Sequence, residues 1–311
     1  MKILIIKLGS IGDVLRTTPI LRALDGNITW VMRERSAPLF KNNKFVHRVI
    51  RIEDLEDVDN RNFDMVLSLD EDHEACELAS RVKCGKLIGV FMDRGKIAYT
   101  ESSSGWFNMS AISRLGICEA DRLKKANRKS YQEILFEMIG MAFNGEEYVF
   151  DPPFIKSPTE TIGLEARVGE KWPTKRWGGF IRLAEDLLKK GHPVKFLKQE
   201  KSIVEYAAEI NSCGLLITGD TLAMHLGIAL KKDTIALFGP TSPAEIFDYG
   251  RMRKIAASMD CACCYKSKCY KKPTCMELIS PQQVFNEIKM DNLPLSLDHL
   301  KISIEAGHAP Y

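Results

Sequence analysis

Short apolar runs rich in β-branched residues recur along the 311-residue chain, with polar, helix-compatible stretches between them. The first, KILIIKL at residues 2–8, reads as a central strand, and the period turns helical from Val14. NITWVMRE (27–34), HRVIRI (47–52), DMVLSLD (64–70) and KLIGVFM (86–92) read as further strands, with a helix ending at Leu21–Leu24 before the second. This alternation predicts βαβ units and a largely parallel sheet. Residues 99–130 interrupt it with a Ser/Gly cluster, the pair Trp106-Phe107 and a basic run, 122–129, in which five of eight residues are Lys or Arg. That run is either a solvated helix face or a surface for an anionic partner.

DPPFIKSP (151–158) holds three prolines and reads as an interdomain linker. The alternation then resumes. TIGLEARVG, HPVKFL, GLLITGD and DTIALFG are expected strands, interleaved with helices in GFIRLAEDLLKKG, SIVEYAAEINSC and TLAMHLGIALKK. A last helix is expected in PQQVFNEIKM (281–290). The fold class is therefore α/β, with two doubly wound, Rossmann-like domains. These are residues 1–150 and 159–285, followed by a tail at 286–311.

Composition adds little. Hydrophobic residues at 45% and charged residues at 27% are ordinary for a soluble globular chain. A net charge of +3 is too small to argue for nucleic-acid binding. No apolar run approaches the ~18 residues that span a bilayer, and the chain enters its first strand without a signal-peptide pattern, so a cytoplasmic location is expected. The nine cysteines matter more through their placement: five of them, Cys261, Cys263, Cys264, Cys269 and Cys275, fall within fifteen residues.

Four stretches carry candidate chemistry, three of them just after expected strands, where open α/β sheets bind ligands. In LGSIGD (8–13), Gly9 and Gly12 lead into Asp13 at a helix start. The spacing is not that of a dinucleotide fingerprint, and Asp13 would repel a pyrophosphate. Asp13 is either a general base toward a hydroxyl or a helix cap. In EKWPTKRW (170–177), Lys175 and Arg176 precede a helix, where an incoming anion would account for them as well as surface placement would. In TGDTLAMHLGIALKKDTIALFGPTS (218–242), Asp220 and Thr221 stand at a strand end, with His225 one turn on as a ligand or a core residue. Gly239, Pro240 and Thr241 form a loop suited to phosphate. In CACCYKSKCYKKPTC, the cysteines Cys261, Cys264, Cys269 and Cys275 give C-x2-C-x4-C-x5-C. That set suits tetrahedral zinc or iron; disulfides or free thiols are the alternatives.

Together these stretches resemble glycosyltransferase family 9, the ADP-heptose:lipopolysaccharide heptosyltransferases and their relatives. KLGSIGDVLRTTPILRAL is similar to the family's opening loop and helix, and WPTKRW to its Trp-x-Thr-Lys-Arg-Trp element. GDTLAMHLGIAL is similar to its Asp-Thr-Gly-x-x-His helix, and LFGPTSPAEI to its Phe-Gly-Pro-Thr loop. The tail from CACCYKSKC to CMELISPQQV resembles the Cys-rich ending of many members. The resemblance implies a GT-B architecture, with the acceptor in the N-terminal half and the nucleotide sugar in the C-terminal half. It implies Asp13 as general base and Lys175, with Arg176, at the diphosphate. Asp220, Thr221 and His225 would lie near the donor sugar, and Gly239 to Thr241 on the nucleotide side. Gly12, Trp106, Lys124 and Lys125 would lie on the acceptor side. ADP-heptose is the implied donor and a lipopolysaccharide-core or other surface glycan the implied acceptor, met at the inner face of the membrane. No divalent metal is needed if Lys175 and a helix N-terminus offset the leaving charge, and relatives that hold iron in a four-cysteine finger imply a structural metal here. The chain departs from the family on the donor side. Leu222 replaces the Gly after Asp-Thr, KRWGGF replaces Lys-Arg-Trp-Pro, and a βα unit is missing between KFLKQE and Cys213.

Overall fold

The computed structural model describes residues 1–55, 58, 61–110, 115–153, 159–198 and 202–288. Most of the expected linker and nearly all of the expected tail lie outside these residues.

The first half is a six-stranded sheet. Strand β1 (Lys2–Ile6) leads through Ser10 into helix α1 (Ile11–Thr17), and β2 (Asn27–Met32), β3 (Val46–Arg51) and β4 (Asn62–Ser68) follow. Helix α2 (His73–Arg81) precedes the hairpin of β5 (Lys83–Asp93) and β6 (Lys96–Tyr99). The order is β3-β2-β1-β4-β5-β6, parallel except for the β5–β6 pair. That hairpin turns at Arg94 and Gly95, both at positive φ (49° and 77°), as a two-residue hairpin loop requires. The expected helix after β1 stops early: α1 gives way at Thr18–Arg22 to a 3-10 turn with Pro19 in it. The interrupting region folds into α3 (Ser104–Phe107), α4 (Ile117–Ala126) and α5 (Tyr131–Met138).

The second half is a five-stranded, all-parallel sheet of order β11-β10-β9-β7-β8. Its elements are β7 (Ile162–Glu165), α6 (Phe180–Lys189), β8 (Val194–Phe196), α7 (Ile203–Asn211) and β9 (Leu215–Gly219). They continue with α8 (Leu222–Ala229), β10 (Asp233–Phe238), β11 (Met252–Ala256) and α9 (Pro281–Asn286). Beyond β8 no further strand is present among the described residues. In both sheets the chain builds outward from the first strand, β1 or β7, on one side and then returns to build on its other side. The crevice at such a switch point is where open α/β sheets bind ligands. The two halves meet through α1 packed on α8, and buried side chains run unbroken from one to the other.

Candidate active site

The β1–α1 loop is built to hold one carboxylate. Ser10 caps α1, and its hydroxyl donates to Asp13 Oδ2 at 2.8 Å while accepting the Asp13 N–H, closing a capping box. Asp13 therefore does serve the helix cap, but its other oxygen, Oδ1, is 3.1 Å from the Arg16 guanidinium and the side chain is 36% exposed. Burial works against its charge, yet Arg16, Lys7 and the Ser10 hydroxyl hold its pKa well below the usual carboxylate range. Arg16 in turn lies over the rings of Tyr131 (4.3 Å) and Trp106 (5.2 Å). Beneath the loop, Asp70 at the end of β4 accepts the N–H groups of Leu8 and Gly9, the second at 2.8 Å, and pairs with buried Lys7. Neither Arg16 nor the Lys7–Asp70 pair stands out in the sequence, because a lone cation on a strand or helix carries no spacing signature.

The opposite wall belongs to the second sheet. Asp220 follows β9, and its Oδ2 accepts Lys175 Nζ at 2.8 Å; the same ammonium donates to the Asp220 carbonyl at 3.0 Å. Burial alone would raise the Asp220 carboxyl, but Lys175 holds it below its ordinary value. Lys175 thus already faces an anion, and Trp172 lies 5.7 Å from its ammonium. Arg176 is exposed and Trp177 is buried, with its indole N–H on the Ile279 carbonyl at 2.8 Å. Thr221 shares a hydrogen bond with Thr218 at 3.0 Å. In the loop after β10, Gly239, Pro240 and Thr241 are buried. The Thr241 hydroxyl lies close enough to Asp220 to help keep it ionised, yet has no hydrogen-bond partner of normal length. The expected phosphate cradle is one amide short, because the Ser242 N–H is taken by the Tyr265 hydroxyl at 3.0 Å.

His225 joins the walls. It is buried on α8 with Nδ1 3.3 Å from the Tyr148 hydroxyl, and a Cβ on Gly12 would stand 2.9 Å from its Cδ2. Burial outweighs Asp220 and Asp13 and pushes the imidazole down to about 4, so it is neutral at physiological pH. Gly12 therefore lies against His225, and Trp106 lies against Arg16, the partner of Asp13. The basic run is largely paired within its own half: Arg122 with Glu119 at 2.6 Å, Lys124 with Asp121 at 3.2 Å and Lys129 with Glu137 at 2.6 Å. Lys125 is exposed.

Cys261, Cys264, Cys269 and Cys275 line a single cavity of about 300 Å³ together with Thr174, Arg176 and Pro240. All nine cysteines are free thiols. The four thiols surround one space without converging: among the described residues, no three His, Cys, Asp or Glu side chains stand close enough to hold a metal ion. In this respect the expected metal set is gathered but not closed.

Residues 199–277 match the model of glycosyltransferase family 9 (heptosyltransferase). The chain is similar to that family over this stretch, about a quarter of its length. The chain is 32% identical over 104 residues to lipooligosaccharide heptosyltransferase 2 of Campylobacter jejuni (strain 81116), covering 32% of this chain but only 33% of that enzyme. It is 23% identical over 356 aligned positions to lipopolysaccharide heptosyltransferase 1 of Pseudomonas aeruginosa PAO1, covering 93% and 97% of the two. Two solved structures share its GT-B fold. They are a family 9 glycosyltransferase of Veillonella parvula (TM-score 0.63, 21% identity, 92% and 95% covered) and the E. coli heptosyltransferase WaaC with ADP (TM-score 0.62, 16% identity, 92% and 98% covered).

Proposed function

We propose that this glycosyltransferase moves a heptose from ADP-heptose to a hydroxyl of a lipopolysaccharide-core acceptor with inversion at the anomeric carbon. One observation carries the reading. An ionised carboxylate, Asp13, from one half and the Lys175–Asp220 pair from the other all lie within electrostatic reach of His225, on the helix that packs against α1. Support for the sugar and acceptor comes from the relatives that are heptosyltransferases by name and the WaaC complex with ADP.

In this mechanism the acceptor oxygen forms a bond to the anomeric carbon while the bond from that carbon to the diphosphate oxygen breaks. The acceptor proton passes to Asp13. A carboxylate held as far down as Asp13 is a weak base at rest. It takes the proton late, when bond formation has made the hydroxyl strongly acidic, and it is fully ionised and ready at neutral pH. Lys175 faces the charge that develops on the leaving diphosphate, and Thr241 adds a hydroxyl with no hydrogen-bond partner of normal length. Trp106, which packs on Arg16 beside Asp13, is the proposed acceptor-side contact nearest the base. Among the described residues no helix is long and apolar enough to cross a membrane, so a membrane-borne acceptor would be met peripherally. A screen of ADP-, GDP- and UDP-sugars by thermal shift and mass spectrometry tests the donor: ADP-heptose alone should stabilise the protein and be consumed. Stabilisation by a GDP- or UDP-sugar instead would reject it.

The four thiols fit a soft metal in type and number, and their free state around one cavity leaves room for it. Zinc or iron held by Cys261, Cys264, Cys269 and Cys275 would cross-link the segment and take no part in the chemistry. Metal analysis should find about one ion per chain in the wild type and a loss in Cys264→Ser. An equal content in both rejects the site.

A further inference from the structure

The Cys-rich segment is tied to both loops of the donor wall. Cys263 N donates to the Gly239 carbonyl at 3.3 Å and Tyr265 N to the Pro240 carbonyl at 2.8 Å. The Thr174 hydroxyl, one residue before Lys175, donates to the Lys266 carbonyl at 2.7 Å. The packing on Gly239 is so close that a Cβ there would lie 2.6 Å from both Cys275 Sγ and Met276 Sδ. Tyr265 is the centre of these contacts. Its hydroxyl accepts the Ser242 N–H at 3.0 Å and donates to the buried Glu245 carboxylate. From the other half of the molecule, Lys124 Nζ stands 5.1 Å from the centre of its ring.

Tyr265 therefore grips residues 240 and 242, one through its backbone and one through its hydroxyl. Thr241, between them, has a buried hydroxyl near Asp220 with no hydrogen-bond partner of normal length. We propose that Tyr265 is a positioning residue for the donor: its hydroxyl fixes the 239–242 loop in the shape that presents Thr241 to a nucleoside diphosphate. The Cys-rich segment is then part of the donor site's support rather than a remote staple. This rests on the donor reading above. Removing the hydroxyl would leave the Ser242 N–H and the Glu245 carboxylate without their shared partner inside a buried site, so the loop would have to re-form.

Tyr265→Phe isolates the hydroxyl, because the ring under Lys124 and the backbone bond to Pro240 survive. Calorimetry with ADP as the probe should show binding five- to tenfold weaker than wild type, the range for one hydrogen bond. The acceptor KM should not move, and hydrogen exchange at the Ser242 amide, measured without nucleotide, should quicken. A purely structural role would lower Tm while leaving ADP affinity and Ser242 exchange at wild-type values, and that result overturns the proposal. So does a parallel rise in acceptor KM and ADP Kd. A wild-type protein that binds no ADP overturns the donor reading itself, and Ser242 exchange still decides whether the hydroxyl holds the loop.

Discussion

Gly12→Ala adds one methyl group where α1 packs against α8 of the other half. Its Cβ would stand 2.9 Å from Cδ2 of His225, so the ring or a helix must retreat by about 0.5 Å to regain van der Waals contact. The ring has nowhere to go. It is 7% exposed, its Nδ1 is 3.3 Å from the Tyr148 hydroxyl, and it stacks on the Tyr148 ring with 6.3 Å between centres. Two effects compete. Alanine gains up to ~1 kcal/mol over glycine in a helix, and less in the first turn, where Gly12 lies. Overpacking a close contact costs ~1–3 kcal/mol. Overpacking wins, for a net loss of about 1–2 kcal/mol and a Tm lower by about 2–5 °C. Separating α1 from α8 also shifts Asp13 against Lys175 and Asp220, so kcat/KM should fall by about tenfold or more. Scanning calorimetry and a transfer assay read both effects, with Gly105→Ala as control. There a Cβ would meet Ile134 at 3.6 Å, an ordinary contact, and Tm should hold or rise slightly. A Gly12→Ala protein with wild-type Tm and wild-type kcat/KM would refute the interface described here.

Other perturbations separate the roles of the charged groups. Arg16→Met removes the largest favourable influence on the ionised Asp13, so the Asp13 pKa rises. Since the ionised form is the base, the acid limb of kcat/KM moves to higher pH, and a limb that stays put argues against Asp13 as base. Lys175→Met strands Asp220, whose partner was 2.8 Å away with both side chains 15% exposed, at a cost of about 3–5 kcal/mol. In that variant burial raises the Asp220 pKa in the folded state. Stability is then retained at acid pH and lost as pH rises through the raised value, the reverse of the wild-type contribution, which is lost as pH falls. Urea unfolding at two pH values checks the sign.

The strands were legible because a buried parallel strand is apolar along its whole length; β1, β4, β9 and β10 show it plainly. β6 and β11 escaped notice, since KIAY and MRKIA are short, partly exposed edge strands that mix charge with apolar residues. At the site, Asp13, Lys175, Asp220 and His225 were visible through motif order, and the fold brings the other three within electrostatic reach of His225. Arg16, Tyr148, Glu245 and Tyr265 were not visible. Their importance comes from tertiary neighbours far away in sequence, as when Tyr148 meets His225. The basic run read equally well as a solvated face or a docking surface, and its local ion pairs with Glu119, Asp121 and Glu137 show how such runs are balanced by acids a turn or two away.

The central claim is that Asp13 takes the acceptor proton as a heptose leaves ADP. Incubating the wild type and Asp13→Asn with ADP-heptose and a lipopolysaccharide-core acceptor, and following the acceptor's mass, tests it directly. The wild type should add one heptose and release ADP, and the variant, which keeps a side chain of the same shape at the helix cap, should be slower by about 10²–10⁴-fold. Transfer by Asp13→Asn at the wild-type rate, or no transfer by the wild type with any ADP-sugar, would contradict it.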